Sequence, residues 1–237
     1  MTRIALVTGA SRGIGAATAR ELARRGLHVV ATARTQGGLE ALDDAIRAEG
    51  GKATLLPLDL AEGEAVDKIG PSLMARFGRL DVLVINGGLL GPITKISHIK
   101  EAAWAEAFAV NVTATWRLIR TCEPLLVRAP AGRAVVLSSG VVARPRAYWG
   151  LYGATKSALH HLTQSWAEEL RQTPLRVNLF NPGATATAMR ATAMPGEDPA
   201  TLPQPEETAV QIADLCGEGD TPHGELVQFR RGSTAAV

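Results

Sequence analysis

Residues 4–15 read Ile4-Ala5-Leu6-Val7-Thr8-Gly9-Ala10-Ser11-Arg12-Gly13-Ile14-Gly15, and this stretch decides the fold. Four apolar residues without polar alternation suit a strand covered on both faces. Three glycines follow. Gly9 permits a tight turn out of the strand, Gly13 removes a side chain so that backbone can approach a pyrophosphate, and Gly15 lets the next helix pack closely on the sheet. The start of that helix, from Ile14, offers unpaired N–H groups and a partial positive charge to the anion. Glycine-rich turns are common at helix starts, so the triplet carries weight only because it follows the first strand and opens a helix.

Outward from this loop, short apolar runs alternate with longer amphipathic stretches. The runs Ile4–Thr8, His28–Thr32, Ala53–Leu58, Asp81–Ile85, Ala134–Leu137, Val177–Phe180 and Leu226–Phe229 read as seven strands. Helical patterns cover Ile14–Arg25, Leu39–Glu49, Ala65–Phe77, Glu101–Arg128, Tyr152–Arg171 and Glu206–Cys216. In the second, Leu39, Leu42 and Ile46 form one stripe, with Glu40, Asp43, Asp44 and Arg47 off it. The alternation predicts an α/β fold: one doubly wound, Rossmann-type domain over residues 1–237, a seven-stranded parallel sheet flanked by helices. Residues 182–205 are rich in Pro and Gly and lack periodicity, which predicts a mobile, substrate-side loop at about 183–205.

Composition narrows the classes. A chain of 237 residues buries roughly 70% of its unfolded surface and needs no disulfide or metal to hold a core. With 25 Lys+Arg against 23 Asp+Glu the net charge is +2, too small to argue for nucleic acid or an anionic membrane. Arg24-Arg25 and Arg230-Arg231 are the densest basic pairs and read as solvated surface. Cys122 and Cys216 lack the spacing of a metal clamp or redox pair, so no metal site is expected and both read as reduced packing residues of a cytoplasmic protein. No run approaches the length of a membrane span, and the first apolar run is too short for a secretory segment.

The end of the second strand bears on the nucleotide. NAD enzymes usually carry an acidic residue there, about 20 residues past the loop, to bond the ribose 2′-hydroxyl. This chain has Ala31-Thr32-Ala33-Arg34. A carboxylate would repel a 2′-phosphate, whereas a guanidinium binds it through charge-assisted bonds. Arg34, with Arg12 closing from the glycine loop, therefore favours NADP(H) over NAD(H). Either arginine by itself would be a surface charge. Asp59, at the end of the third strand, is placed for the adenine amino group or equally to cap the following turn.

Tyr152-Gly153-Ala154-Thr155-Lys156 puts a phenol and an ammonium at i and i+4, on one helical face. A free tyrosine holds its proton too tightly for exchange at neutral pH, and a nearby cation is expected to lower that affinity. Ser139 ends the fifth strand, at the carboxyl edge where open α/β sheets bind ligands. Its hydroxyl can bond the oxygen that Tyr152 protonates. A Tyr/Lys pair at this spacing arises by chance, and its value comes from Ser139 and the glycine loop.

Together, Thr8 to Gly15, Asn86-Gly87-Gly88, Asn111-Val112, Ser138-Ser139, Tyr152 to Lys156 and Asn181-Pro182-Gly183 through Thr187 resemble the short-chain dehydrogenase/reductase family, from residue 1 to about 230. The resemblance implies that Ser139 polarises a carbonyl and that Ser138 supports structure. It implies that Tyr152 is the general acid in reduction and that Lys156 lowers its pKa and bonds the nicotinamide ribose. Asn111 would hold a water linking Lys156 to solvent, or else fill a helix kink. Thr185, through its backbone, and Thr187 would steady the carboxamide and phosphates. The expected catalytic set is Asn111, Ser139, Tyr152 and Lys156. The expected cofactor set is Gly9, Ser11, Arg12, Gly13, Ile14, Gly15, Arg34, Asp59, Leu60, Asn86, Gly88, Tyr152, Lys156, Pro182, Gly183, Thr185 and Thr187. One departure is Ile85-Asn86-Gly87-Gly88, where the family usually has Asn-Asn-Ala-Gly. The stretches Arg146 to Gly150, Met189-Arg190 and Glu197 to Pro199 are similar to a poorly characterised bacterial subgroup.

These readings predict an NADPH-dependent oxidoreductase that reduces a ketone or aldehyde to an alcohol by hydride transfer. The alternatives are an alcohol dehydrogenase running oxidatively and, from another class, a dinucleotide-binding regulator without turnover. Such regulators lose members of the Ser/Tyr/Lys set, and this chain keeps all three. Leu89, Leu90, Val141, Trp149, Met189 and Met194 suggest an apolar ligand, or serve as ordinary packing. Arg144 and Arg146 read as a solvated rim. By resemblance, the partner is a small carbonyl or alcohol substrate, and pairing through Glu101–Arg128 and Tyr152–Arg171 predicts a homodimer or homotetramer.

Overall fold

The computed structural model describes residues 2–232; Met1 and residues 233–237, inside the expected domain bounds, lie outside the described residues. Strands β1 (Ile4–Thr8), β2 (His28–Ala33), β3 (Lys52–Pro57), β4 (Val82–Ile85), β5 (Arg133–Leu137), β6 (Arg176–Asn181) and β7 (Leu226–Gln228) form one sheet in the order β3-β2-β1-β4-β5-β6-β7. Every pairing is parallel. Each strand lies within one residue of its sequence expectation at either end.

Helices α1 (Gly13–Arg24), α2 (Gln36–Ala48), α3 (Gly63–Asp67), α4 (Ile69–Phe77), α5 (Glu101–Phe108), α6 (Ala114–Arg128), α7 (Gly150–Glu169), α8 (Ala188–Ala193) and α9 (Pro205–Leu215) cover the two faces. The strands are apolar throughout because both faces are buried. Ala5 and Val7 pack under α1, α2 and α9 with Leu22, Leu39 and Ile212. Ile4 and Leu6 face the other way, toward Ile69, Leu118 and Leu159 of α4, α6 and α7. Successive residues of one strand thus feed two separate cores. Among the described residues no helix is long and apolar enough to cross a membrane.

Three helical expectations change. The pattern over Ala65–Phe77 is two helices, α3 and α4, divided at Lys68. Glu101–Arg128 is interrupted by a π turn at Ala109–Thr113, which separates α5 from α6. The aperiodic stretch 183–205 carries α8 and a 3-10 turn at Pro199–Thr201, tied by an Arg190–Glu197 ion pair. The sheet order reverses between β1 and β4, and the crevice beyond their carboxyl ends is where such sheets bind ligands.

Candidate active site

The glycine loop is built against the end of β4. A Cβ on Gly9, whose φ is +64°, would stand 2.7 Å from Gly87 Cα, so two backbones meet where neither tolerates a side chain. A Cβ on Gly15 would stand 2.3 Å from Gly9 O. Asn86 braces the loop: its Nδ2 donates to Thr8 O at 3.0 Å and to Gly9 O at 3.2 Å. The Thr8 hydroxyl accepts from the N–H groups of Asn86 and Gly87, each at 3.0 Å. Asn86 and Thr8 therefore shape the loop, and the Asn86 amide is spent on loop carbonyls. At Gly87, where the sequence departs from the family pattern, a Cβ would stand 2.5 Å from Leu60 Cδ1.

The first turn of α1 has no acidic residue and no side-chain cap, which leaves its N–H groups available to an anion. Ser11 lies against the first turn of α2, where a Cβ on Gly38 would stand 2.8 Å from its Cβ. Arg12 is exposed at the N-cap of α1. Arg34 is exposed and its Nη1 lies 3.7 Å from Asp59 Oδ2. Asp59 Oδ1 accepts from Ala61 N at 2.9 Å, the turn-capping alternative. The two arginines thus stand at the same end of the sheet with no carboxylate at position 33, an arrangement that fits a 2′-phosphate.

Later segments complete the surroundings of the glycine loop. Thr187 reaches the glycine loop: a Cβ on Gly13 would stand 3.4 Å from its Cγ2. Its hydroxyl caps α8 by accepting from Arg190 N at 3.1 Å. The Thr185 hydroxyl turns inward to Pro182 O and Thr208. Gly183 turns at φ +65°, its N–H held by Asn181 Oδ1.

Ser139, Tyr152 and Lys156 converge beside this loop. Lys156 Nζ lies 5.9 Å from the Tyr152 ring centroid and donates to Leu137 O at 2.7 Å. A Cβ on Gly88 would stand 3.9 Å from the same Nζ. Tyr152 is 8% exposed and Lys156 5%. Burial pushes the Tyr152 phenol up, and a hydrogen bond with Ser139 pulls it partly back. Burial pushes Lys156 down to about 8. The expected net lowering of the tyrosine is therefore corrected: desolvation of the phenol outweighs the hydrogen bond with Ser139.

Asn111 sits in the π turn. Its Oδ1 accepts from Leu89 N at 2.7 Å, and its Nδ2 donates to Leu89 O at 2.8 Å and to Thr155 Oγ1 at 2.9 Å. Both amide hydrogens are taken by protein, so the side chain ties the loop after β4 to α7. Thr155 relays this by donating to Tyr152 O at 2.9 Å.

Sequence reasoning missed His160, whose Nδ1 lies 3.2 Å from Ser138 Oγ, one helical turn beyond Lys156; its signal was the i, i+4, i+8 series from Tyr152. It also missed Ala193. Of the expected apolar lining, Leu90, Val141 and Trp149 pack with Tyr152 and Ala193, whereas Met189 is exposed and Leu89 and Met194 stand outside that cluster.

The family profile described as short chain dehydrogenase matches residues 3–198. The uncharacterized oxidoreductase YciK of Escherichia coli K12 is 39% identical over 219 residues, 91% of this chain and 86% of that protein. A short chain dehydrogenase structure from Pseudomonas syringae superposes with a TM-score of 0.91 at 37% identity, covering 95% of this chain and 94% of that one. One from Shigella flexneri 2a, complexed with NADP, gives 0.89 at 37% identity, covering 95% and 96%.

Proposed function

This chain belongs to the short chain dehydrogenase family of NAD(P)-dependent oxidoreductases, and from that premise we propose that it uses NADPH to reduce a ketone or aldehyde to an alcohol. One observation carries the reading: a buried phenol bonded to a serine hydroxyl, one helical turn from a buried lysine, beside a glycine loop.

NADPH, when bound, would supply the hydride for the carbonyl carbon. Tyr152 Oη releases its proton to the carbonyl oxygen, and Ser139 Oγ donates a hydrogen bond to the same atom, so negative charge does not accumulate there. Lys156 holds the nicotinamide ribose and, when charged, favours the phenolate left behind. Asn111, through Thr155 and Leu89, keeps the helix and loop in register around them. Gly9, Ser11, Gly13, Ile14 and Gly15 with the start of α1 hold the pyrophosphate. Arg12 and Arg34, with alanine rather than a carboxylate at position 33, would hold a 2′-phosphate, and this supports preference for NADPH over NADH. NADP and NADPH accompany related structures from Shigella flexneri and Escherichia coli CFT073. Asp59 and Leu60 would face the adenine, Asn86 and Gly88 the middle of the dinucleotide, and Pro182, Gly183, Thr185 and Thr187 the nicotinamide. Cys122 and Cys216 are free and buried, which supports a cytoplasmic setting. An apolar groove between α6 and α7, lined by Val112, Trp116, Ala158 and Leu162, supports pairing as a homodimer or homotetramer.

Tyr152→Phe keeps the ring and removes the proton. It is expected to lose at least about a hundredfold in turnover while NADPH affinity stays nearly intact. Retention of most of the activity would remove Tyr152 as the acid. Carbonyl substrates assayed with NADPH and NADH side by side test the cofactor preference.

A further inference from the structure

The catalytic phenol is walled by carbon. Leu90 from the loop after β4, Val141 from the loop after β5, Trp149 at the N-cap of α7 and Ala193 at the end of α8 pack around Tyr152. Four segments far apart in sequence thus bring apolar surface to one ring. The Trp149 ring meets the Tyr152 ring edge-on, at 6.0 Å and 70°. The Arg146 guanidinium stands 5.8 Å over the Trp149 ring.

The backbone that places Trp149 is strained. Tyr148, at φ +72°, is the one non-glycine residue in the left-handed region among the described residues. It is held there by Thr94 N donating to its carbonyl at 3.1 Å, while Trp149 N donates to Arg146 O at 3.2 Å. Such a conformation costs free energy and persists only where the surroundings impose it. The Tyr148 side chain is 53% exposed, so side-chain burial does not explain it.

The hydroxyls of Ser139 and Tyr152 both serve the carbonyl oxygen, so what flanks the carbonyl carbon meets Leu90, Val141, Trp149 and Ala193. A hydroxyl or charge set against that surface would lose its water without gaining a partner. We propose that Trp149 is the specificity-determining wall of the site, positioned by the strained turn at Tyr148, and that the substrates are neutral carbonyl compounds bearing an aromatic or alicyclic ring at the carbonyl carbon. The proposal rests on the hydride-transfer reading and names its substrate class.

The test compares α-tetralone, a bicyclic aromatic ketone, with dihydroxyacetone in the full-length protein with NADPH. The readout is the ratio of their kcat/KM values, so that differences in intrinsic reactivity cancel between variants. Trp149→Ala is expected to lower the tetralone/dihydroxyacetone ratio by about tenfold or more, and Trp149→Phe to restore most of it. Tyr148→Gly relieves the left-handed strain; it is expected to keep the melting temperature while losing part of the same ratio. Equal ratios in the parent and Trp149→Ala overturn the wall, and an unchanged ratio in Tyr148→Gly overturns the positioning role. Binding of tetralone to the NADP⁺ complex, followed by isothermal titration calorimetry, separates the two readings. Saturable binding that Trp149→Ala loses, without turnover of either ketone, supports the wall and overturns hydride transfer. Reduction of dihydroxyacetone without binding or turnover of tetralone overturns the proposal and leaves hydride transfer standing. Absence of all binding and turnover overturns both.

Discussion

Lys156 meets two opposing demands. Its proposed task needs a charged ammonium, while its place under β5 strips away water and pushes its pKa down to about 8, from an ordinary 10.5. Between these values the unfolded chain holds a proton that the folded chain has released. Stability from this site therefore rises with pH through that window and is lost as pH falls through about 8. Comparing urea midpoints of the parent and Lys156→Met at about pH 7 and about pH 10 checks the sign: the difference is expected to move in favour of the parent at the higher pH. A pH-independent difference would mean that burial does not shift the lysine. The motif residues were legible at this scale because chemistry restricts them to few residue types. The direction of the tyrosine shift was not, because desolvation depends on which segments cover the ring.

Elements carry the site through their ends and interruptions. The opening turn of α1 depends on Gly15, where an added Cβ would stand 2.3 Å from Gly9 O and 2.4 Å from Asn86 Nδ2. The first obstacle is backbone and cannot swing aside. Gly15→Ala is expected to destabilise the fold by about 1–3 kcal/mol and to weaken NADPH binding, measured by urea midpoint and fluorescence titration. Wild-type values for both would show that the loop relaxes. The π turn at Ala109–Thr113 left no break in the sequence period, and only Asn111, read as a water holder or a filler of a helix kink, pointed to it. It holds neither glycine nor proline, while Pro124 sits inside α6 without ending it. The interruption goes with the bonds from Asn111 to Leu89 and Thr155, partners 22 and 44 residues away, which no local period records. The stretch 183–205 was likewise read as loop because α8 is too short to show periodicity.

Across the molecule, one apolar groove stands open among the described residues. Val112, Trp116, Ala158, His161 and Leu162 line a groove of about 450 Å³ between the π turn, α6 and α7. Trp116 is 43% exposed there, with the Arg120 guanidinium 4.6 Å from its ring. If the chain pairs through these helices as proposed, Trp116→Glu sets a charge into the contact and is expected to halve the mass seen by gel filtration with light scattering. An unchanged assembly would place the contact elsewhere. The sequence by itself determined the seven strands, their parallel winding, the glycine loop and the identities of Ser139, Tyr152 and Lys156. Each is written in short-range pattern: unbroken apolar runs, glycine spacing, a helical i, i+4 pair. Only the tertiary structure decided that Thr187 meets Gly13, that Asn86 braces the loop, that His160 reaches Ser138 and that Trp149 and Ala193 close over the phenol. Those contacts join residues that share no local period, and packing of the two faces of the sheet is what brings them together.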